Sequence, residues 1–515
     1  MWISLTTVEY GTGAEGGVPL TTLRSSTVAD ILRRSAARWP ARVALKFAGR
    51  QWTYADLDAA VTRAAAHLLG LGLVKGDRVA AYGKNSDAYL IGFLACARAG
   101  LVHVPINYNL TGDELAYLVE QSGSRVALAD PALAGNLPAL DRVVPLRDAD
   151  GSLVALSGEV PELDAEVGDG DLAQLLYTSG TTSRPKGAMM THRALVHEYL
   201  SCITGLDLTA DDDPLHVMPL YHSAQMHVFL VPWLAVGATN TLLETPDPTD
   251  ILRRLAEDRH GAFFAAPTLW VALANHPDFG SRDLSALRKA YYGASIMPGP
   301  VLDRLRQAMP ELGFYNCFGQ SEIGPLATIL RPEDHAERPD SAGRPVLFVE
   351  LRVVDAEGND VAPGESGECV YRSPQLCEGY WDKPEETEDA FRDGWFHSGD
   401  LVRIDEQGYI YVVDRIKDVI NTGGVLVASR EVEDALYTHP AVAEAAVIGV
   451  PDEKWIEAIT AVVVSKEDVS PEALIAHVRE RLSAFKVPKA VRFVPDLPRN
   501  ASGKILKREL RDRFS

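Results

Sequence analysis

The amino-acid sequence predicts an α/β protein with a large, multi-subdomain N-terminal unit, a β-rich part within it, and a small α+β domain at the C-terminal end. Short apolar runs alternate with helical periodicity over much of the first three hundred residues, period-2 runs dominate residues 346–413, and a compact unit follows residue 418. At roughly 100–200 residues per domain, 515 residues allow two to four structural units. We therefore expect an N-terminal domain over residues 1–413, a hinge over 414–418 and a C-terminal domain over 419–515.

The alternating pattern of the N-terminal unit begins at residues 27–130. Residues 55–73, 86–99 and 113–121 show helical periodicity, and residues 78–82, 101–106 and 125–129 are predicted strands. The pattern resumes with predicted strands at 172–176, 215–218, 238–243, 262–265 and 289–292. Alternating strands and helices indicate a parallel sheet covered by helices.

The pattern changes after residue 346. Period-2 runs at 349–354, 367–372 and 408–413 are separated by Asp, Glu, Gly and Asn turns, which indicates antiparallel β structure. Beyond the hinge, helices are predicted at 430–437 and 471–482 and strands at 445–450, 458–464 and 490–494. This set is typical of a small α+β domain.

Composition excludes several classes of protein. The net charge of -21 argues against sequence-independent nucleic-acid binding and against binding to an anionic membrane surface, because both depend on positive charge. The longest apolar stretch, residues 228–238, is too short for an integral membrane segment, and residues 1–17 lack the pattern of a signal peptide. Five scattered cysteines without a CxxC pair favour reduced thiols and a cytoplasmic location, and argue against a zinc site.

The most informative segment is residues 177–187, which read YTSGTTSRPKG and follow the predicted strand 172–176. We predict a loop whose backbone N–H groups, hydroxyls and lysine hold phosphate oxygens. A P-loop is excluded, since Lys186 is followed by Gly187 and Ala188 rather than by Ser or Thr. A flexible polar surface loop is the simpler alternative for a segment of this composition.

The segment resembles the phosphate loop of the adenylate-forming superfamily, which includes fatty-acyl- and aryl-CoA synthetases. Five further segments resemble that family's motifs in the same order: YGAS at 292–295, FGQSE at 318–322, HSGD at 397–400, DRIKD at 414–418 and NASGK at 500–504. The resemblance thus reaches almost to the end of the chain. It implies an AMP-forming carboxylate–CoA ligase that uses ATP, Mg²⁺ and CoA, with a mobile C-terminal domain.

The resemblance also implies roles for individual residues. Lys504 would bridge the acyl carboxylate and the α-phosphate, Ser321 would contact the α-phosphate, and Glu322 would bind Mg²⁺, with Thr178 beside it. Lys417 would be the hinge residue. The nucleotide and CoA would be held by Thr178, Ser179, Gly180, Thr181, Thr182, Lys186, Gly293, Ala294, Ser295, Phe318, Gly319, Asp400, Arg415 and Gly424. Tyr292 or Phe318 would stack on the adenine, although an aromatic residue beside a strand is more often part of the core.

The acyl pocket has weaker signals. His222, in the segment PLYHS at 219–223, would lie near the acyl carboxylate, or equally would be a buried structural histidine. Gln225, Met226, Phe229 and residues 319–324 are candidates for the pocket wall. The sequence does not identify the acid, and we expect either a monomer or a homodimer.

The sequence departs from the family pattern at two places, and the second of them bears on the thiol acceptor. Ser183 replaces a usual glycine, and Gly423 and Gly424 precede the apolar run VLVA rather than a polar residue. Coronafacate–amino acid ligases are similar in this region, so an amide-forming ligase is the main alternative. Acylation of a carrier protein and a nucleotide-binding pseudoenzyme are further alternatives.

Overall fold

The computed structural model describes residues 26–163, 165–178, 184–295, 297, 299–499 and 505–515. Within these residues, the helices are α1 Val28–Arg38, α2 Tyr54–Gly70, α3 Asp87–Ala99, α4 Gly112–Ser122, α5 His192–Gly205, α6 Val231–Val236, α7 Pro248–Glu257, α8 Pro267–Asn275, α9 Gly299–Ala308, α10 Pro384–Ala390, α11 Ser429–Tyr437, α12 Pro471–Arg479 and α13 Lys507–Phe514.

The strands of the N-terminal unit form three sheets. They are β1 Val43–Phe47, β2 Arg50–Thr53, β3 Arg78–Tyr82, β4 Val102–Ile106, β5 Val126–Ala129, β6 Arg142–Pro145, β7 Leu172–Thr178, β8 Lys186–Thr191, β9 Pro214–His216, β10 Asn240–Leu242, β11 Ala262–Phe264, β12 Lys289–Gly293, β13 Gly313–Phe318, β14 Thr328–Leu330, β15 Arg344–Pro345, β16 Glu350–Val354, β17 Ser366–Arg372, β18 Phe391–Arg392, β19 Trp395–Ile404 and β20 Ile410–Arg415.

The first sheet has the order β6-β5-β3-β4-β7-β8 and is parallel except for β8. Strands β4 and β5 are buried at every residue, as expected for a sheet covered by helices on both faces. Helix α3 packs between elements of this unit and is buried over nearly its whole length. Its N-cap is Ser86, whose Oγ accepts from the Tyr89 N–H, and it ends at Gly100 in the left-handed conformation, with φ 71°.

The second sheet carries one edge of the candidate site. Its order is β15-β14-β13-β12-β11-β9-β10-β1-β2, with a parallel centre. The carboxyl ends of β12 and β13 bring Gly293 and Phe318 to the same edge. Gly293 is required there, because an added Cβ would lie 2.2 Å from the Cys317 carbonyl oxygen.

The remaining strands form the antiparallel sheet and the small domain. Strands β16, β17, β19 and β18 pair in that order, with β20 on β19. A 3₁₀ turn over Ile416–Asp418 leads to the strands β21 Ile420–Thr422, β22 Val425–Val427, β23 Val442–Asp452, β24 Ile456–Ser465 and β25 Ala490–Phe493. The predicted fold class, a large α/β unit with a β-rich part and a small α+β domain, is confirmed.

One predicted boundary is wrong. Residues 177–187 were expected to form a loop throughout, but Tyr177 and Thr178 end β7, and Lys186 and Gly187 begin β8. The two strands are antiparallel, with Tyr177 opposite Gly187 and Thr178 opposite Lys186. Backbone hydrogen bonding across this pair extends the strands into a polar segment whose composition alone indicates a loop.

The apolar stretch at 228–238 is also part of the interior of the N-terminal unit. It contains the end of the π-helical segment Ala224–Leu230 and all of α6. In the part of the chain that the structure describes, no helix is both long enough and apolar enough to cross a bilayer.

Replacing Gly293 with alanine should separate β12 from β13. We expect Gly293→Ala to lower the free energy of unfolding by about 2 kcal/mol, since the new methyl group overlaps the Cys317 carbonyl. The measurement is the urea midpoint. Gly135→Ala is the control, because a Cβ there has no atom within 4 Å; equal midpoints for the two variants would contradict the prediction.

Candidate active site

The centre of the candidate site is a cluster of Lys186, Tyr380 and Glu322. The Lys186 ammonium lies 4.9 Å from the centroid of the Tyr380 ring, and the Tyr380 hydroxyl donates to Glu322 Oε1 at 3.1 Å. Glu322 is buried in a 3₁₀ turn that directly follows β13. The cluster therefore brings a cation from the predicted phosphate hairpin to the predicted metal carboxylate, through one aromatic side chain.

Backbone hydrogen bonds fix this arrangement. The Trp381 N–H donates to the Gly187 carbonyl at 2.8 Å, and Met189 exchanges two hydrogen bonds of 2.9 Å with Gly379 and Glu378. The Cys377 N–H donates to the Glu322 carbonyl at 2.8 Å. Residues 377–381 thus pair with β8 on one side and with the Glu322 turn on the other.

Ser321 and His222 lie on neighbouring segments beside this cluster. Ser321 Oγ is 3.0 Å from Ser223 Oγ, so the 219–223 segment touches the predicted α-phosphate residue. Burial lowers the pKa of His222, which favours the neutral imidazole, and its Nδ1 accepts weakly from the Ala224 N–H at 3.4 Å. A neutral imidazole within the predicted acyl segment retains a hydrogen-bonding nitrogen without adding charge.

The predicted adenine segment is divided between the surface and the core. Ala294, with φ 64°, and Ser295 are exposed beyond the end of β12, and Phe318 is half-buried at the end of β13. Gly319 has φ 152°, and an added Cβ would lie 2.1 Å from the Pro325 carbonyl oxygen. Tyr292 is buried and its hydroxyl contacts His335 Nε2 at 3.0 Å, so of the two predicted stacking rings only that of Phe318 borders the exposed segment.

The predicted ribose residues form an ion pair on adjacent strands. Arg415 Nε is 2.9 Å from Asp400 Oδ1, and these residues are directly opposite in β19 and β20. Arg415 also donates to the Ser398 carbonyl at 3.0 Å. Burial raises the pKa of Tyr380, Glu322 raises it further, and Arg415 acts to lower it, so Arg415 is within electrostatic range of the central cluster.

The predicted acyl-pocket wall is partly core. Phe229 is fully buried and stacks on Phe264 at 4.3 Å between ring centroids, and Met226 is fully buried. Gln225 uses both ends of its amide, accepting from the Met218 N–H and contacting His216 Nδ1 at 2.8 Å. These side chains hold the segment in place from within the protein.

The hinge and the CoA segment lie at the start of the small domain. Lys417 is exposed in the 3₁₀ turn, and Gly424 is exposed in the tight connection between β21 and β22, with φ 86°. Five predicted site residues, Ser179, Gly180, Thr181, Thr182 and Lys504, lie outside the described residues, as does Ser183. Their roles stay predictions.

Tyr380 is the main residue that the sequence reasoning missed. Its contacts, Lys186 and Glu322, lie 194 and 58 positions away in the chain, so local pattern gives no sign of them. The only sequence signal is its place in an irregular segment with Gln375 and Gly379, between the antiparallel strands and α10. Binding and catalytic residues are disproportionately found in connections between regular elements.

A strand pair that places Lys186 against Tyr380, and through it beside the buried carboxylate of Glu322, is compatible with the predicted binding of phosphate groups. Comparison with known proteins agrees. The chain belongs to the AMP-binding enzyme family: the family model matches residues 32–381, and the model of the AMP-binding enzyme C-terminal domain matches residues 431–504.

Among curated relatives, feruloyl-CoA synthase from an Amycolatopsis species is 40% identical over 483 residues, or 93% of this chain and 98% of that protein. Long-chain-fatty-acid–CoA ligase FadD13 from Mycobacterium tuberculosis is 33% identical over 475 residues, covering 90% of this chain and 93% of the relative. The structure of amide bond synthetase McbA from Marinactinospora thermotolerans superposes with a TM-score of 0.85 and 30% identity, over 95% and 99% of the two chains.

These findings confirm the resemblance to adenylate-forming enzymes and the prediction of an AMP-forming carboxylate–CoA ligase. ATP and CoA are substrates of such ligases. The McbA likeness is compatible with the amide-forming alternative, but the sequence relatives favour CoA as the acceptor.

Removing the Tyr380 hydroxyl should impair catalysis without unfolding the protein. We expect Tyr380→Phe to lower the rate of acid-dependent pyrophosphate release about tenfold, because a hydrogen bond to a carboxylate is lost. The matched control is Tyr315→Phe. It removes a hydroxyl that donates to Asp207 at 2.9 Å, and this hydrogen bond is not part of the cluster. Equal rates for the two variants would show that the Tyr380 hydroxyl has no role in positioning Glu322.

Proposed function

We propose that this ligase activates an aromatic carboxylic acid of the cinnamate type with ATP and transfers the acyl group to CoA. The observation that carries the adenylation step is the Lys186–Tyr380–Glu322 cluster, with the Asp400–Arg415 pair in electrostatic range of it. This arrangement offers a cation for phosphate oxygens and, in the Asp400–Arg415 ion pair, a carboxylate that can accept from ribose hydroxyls.

The aromatic acid is favoured by two observations. The chain is 40% identical to a feruloyl-CoA synthase and 33% identical to a long-chain-fatty-acid ligase. In addition, the rings of Tyr108 and Tyr221 meet edge to face at 5.6 Å beside the predicted acyl segment. Aromatic walls of this kind suit an aromatic substrate, because ring pairs gain energy beyond simple burial.

In the first step, a carboxylate oxygen of the acid attacks the α-phosphorus of ATP, acyl-AMP forms and pyrophosphate leaves. Lys186 and the hydroxyls of residues 178–182 hold the β- and γ-phosphates, and Ser321 contacts the α-phosphate. Gly293, Ala294, Ser295, Phe318 and Gly319 line the adenine, and Asp400 with Arg415 binds the ribose. Lys504 offsets the charge that develops on several oxygens in the transition state.

Mg²⁺ fits the residues present. Glu322 Oε1 accepts from Tyr380, and among the described residues Oε2 has no hydrogen bond, which leaves it for a hard cation, with Thr178 on the adjoining hairpin. The described residues contain no group of three or more His, Cys, Asp or Glu arranged around a metal. Mg²⁺ in nucleotide sites typically takes one or two protein carboxylates plus phosphates, and it would offset phosphate charge.

For the second step, we propose that the domain over 419–515 rotates about Lys417, within the hinge at 414–418. The rotation brings Gly424 and the following apolar residues to the site, where the CoA thiolate attacks the acyl carbon and AMP leaves.

Buried, unpaired cysteines at all five positions support a cytoplasmic location, and we propose a monomer or a homodimer.

The proposal is tested with purified full-length enzyme, ATP and Mg²⁺. Ferulate and related cinnamates should release pyrophosphate faster than medium- or long-chain fatty acids, and CoA should accelerate AMP release and give a hydroxylamine-sensitive thioester. A preference for fatty acids would overturn the aromatic substrate class.

The amide-forming alternative is favoured by the apolar residues Val425 and Leu426, which are exposed where a polar residue is usual, and by the likeness to McbA. An amino acid or another amine would then accelerate turnover and give an amide stable to hydroxylamine, whereas CoA would have no effect. Both routes pass through the same acyl-AMP, so this outcome would leave the adenylation residues unchanged.

Lys504→Ala should abolish acyl-AMP formation and spare thioester formation from supplied acyl-AMP. The loss of one preorganised charge contact should raise the adenylation barrier by about 3 kcal/mol. Arg508→Ala, which removes an exposed cation four residues away, is the control. Normal pyrophosphate release by the Lys504 variant would exclude its catalytic role.

Lys417→Pro should affect the two half-reactions unequally. Proline fixes φ near -65°, so a residue whose backbone angles switch between domain orientations can no longer adopt both. The adenylation and thioester-forming rates are measured separately, with Lys417→Ala as the control that removes the side chain alone. Parallel loss of both rates in a folded Lys417→Pro protein would argue against a hinge at this residue.

A further inference from the structure

A row of three polar side chains lies on one face of the nine-stranded sheet, on the three strands at one of its edges. Lys46 on β1 is directly opposite Gln51 on β2 and Thr241 on β10, so these three residues share a face. Sheets of this type are normally covered by helices and apolar on both faces. Here a cavity of about 380 Å³ lies over the row, bordered by the end of α7 and by Asp213, Asp258 and His260.

The cavity lies away from the candidate active site. Asp213 directly precedes β9 and His260 lies two positions before β11, whereas Gly293 and Phe318 lie at the carboxyl ends of β12 and β13. Because β9, β11, β12 and β13 are parallel, the first set of residues lies at the amino ends of the strands and the second set at their carboxyl ends. A molecule in this cavity would not occupy the adenylation site.

His260 supplies an acceptor at the base of the cavity. Its Nδ1 is 3.0 Å from the Asp213 backbone carbonyl, which can only accept, so Nδ1 carries a hydrogen. Burial lowers the pKa of His260, and the charge of Lys46 lowers it further, whereas Asp213 and Asp258 act to raise it. The pKa is lowered overall, so the neutral ring is favoured. Nε2 then has a lone pair, and its nearest carboxylate oxygen, on Asp258, is 4.0 Å away.

Three buried polar atoms at the cavity have no hydrogen-bond partner among the described residues: His260 Nε2, Thr241 Oγ1 and Asp213 Oδ1. The His260 and Thr241 residues are 2% and 6% exposed. A buried polar atom without a partner costs about 1–3 kcal/mol, so three together in one cavity indicate an external partner. Two of the three atoms are acceptors and the hydroxyl serves either way, so the complementary groups are donors.

Among the cationic side chains that line the cavity, two arginines are in ion pairs with other described residues and one lysine is not. Arg50 is paired with Asp87 at 2.8 Å, and Arg254 is paired with Asp250 at 2.9 Å and with Asp258 at 3.2 Å. Lys46 is half-buried and has no ion pair within the described part of the chain. It also borders an adjoining cavity of about 300 Å³. Lys46 is therefore the cation that remains for an anionic group.

We propose that this cavity, lined by Lys46, Thr241, Asp213 and His260, is a second binding site for a small organic anion that also carries hydroxyl or amino groups. The anionic group pairs with Lys46. The hydroxyl or amino groups donate to His260 Nε2 and Asp213 Oδ1 and contact Thr241. This site is independent of the acid, ATP and CoA of the proposed reaction.

The test is isothermal titration calorimetry of the full chain, with ATP present so that the nucleotide site is occupied. Glycerol 3-phosphate and L-serine are the probes, which separate a hydroxylated phosphate from an amino acid. Acetate and glycerol carry only the anionic group or only the donors. We expect saturable binding of at least one probe, weakened about tenfold by Lys46→Met and by Thr241→Val.

Lys466→Met is the matched control, since it removes an exposed lysine of the small domain, and it should bind the probe as the unmodified chain does. Circular dichroism identifies any variant that fails to fold. Because Lys46 is only half-buried, Lys46→Met tests the site even if substitution of the buried Thr241 disturbs the fold. The proposal is overturned if neither probe saturates, if acetate or glycerol binds equally well, or if Lys46→Met leaves affinity unchanged.

Discussion

The geometry of the site depends on the backbone pairing of residues 377–381. This segment adds to β8 on one side and binds the Glu322 turn on the other, so it joins the six-stranded sheet to the nine-stranded sheet at one place. The predicted phosphate hairpin belongs to the first sheet, and the turn that carries the predicted metal ligand Glu322 follows β13 of the second. Backbone hydrogen bonds therefore set the distance between them. Tyr380 lies between the two and contacts both Lys186 and Glu322.

A buried polar network supports the segment from within. Glu198 on α5 accepts from the Leu326 N–H at 2.9 Å and from the Gln375 amide at 2.5 Å, and Gln375 also donates to the carbonyls of Ile323 and Leu326. Burial raises the pKa of Glu198 well above its ordinary value. Because a buried carboxyl group is costly without partners, this network favours one conformation of the turn that carries Glu322.

The sequence predicted the strands and helices closely wherever periodicity was strong. The strand 78–82 was predicted with the observed bounds, and the helix 430–437 differs by one residue. The β7–β8 hairpin was missed because its polar tip carries no apolar alternation, although the backbone pairs it. Phe229 and Tyr292 show a second limit of sequence-based prediction. Phe229 follows a family-like segment and Tyr292 begins one, but whether each ring faces a pocket or the core depends on contacts with the distant residues Phe264 and His335. Tyr380 and the Glu198–Gln375 network required the tertiary structure for the same reason.

Polar contacts connect the small domain to the hinge and to β20, among them the hydrogen bond from Arg430 to the Val412 carbonyl and a short chain through Ser429. Lys507 donates to Ser429 Oγ at 2.5 Å, and Ser429 donates to Asp414 Oδ2 at 2.7 Å. Burial acts to lower the pKa of Lys507, but Glu433 and Asp414 raise it overall, so the ammonium is retained. The proposed rotation would break the contact with Asp414, while the Lys507–Glu433 pair moves with the domain.

In the orientation that the structure shows, before any rotation, Val425 and Leu426 are 45% and 69% exposed beside Gly424. Full burial of such side chains contributes about 1.5–3 kcal/mol each, a gain comparable to the cost of losing one charge-assisted hydrogen bond. If the proposed rotation buries Val425 and Leu426, their burial would favour the second orientation, whichever acceptor the enzyme uses.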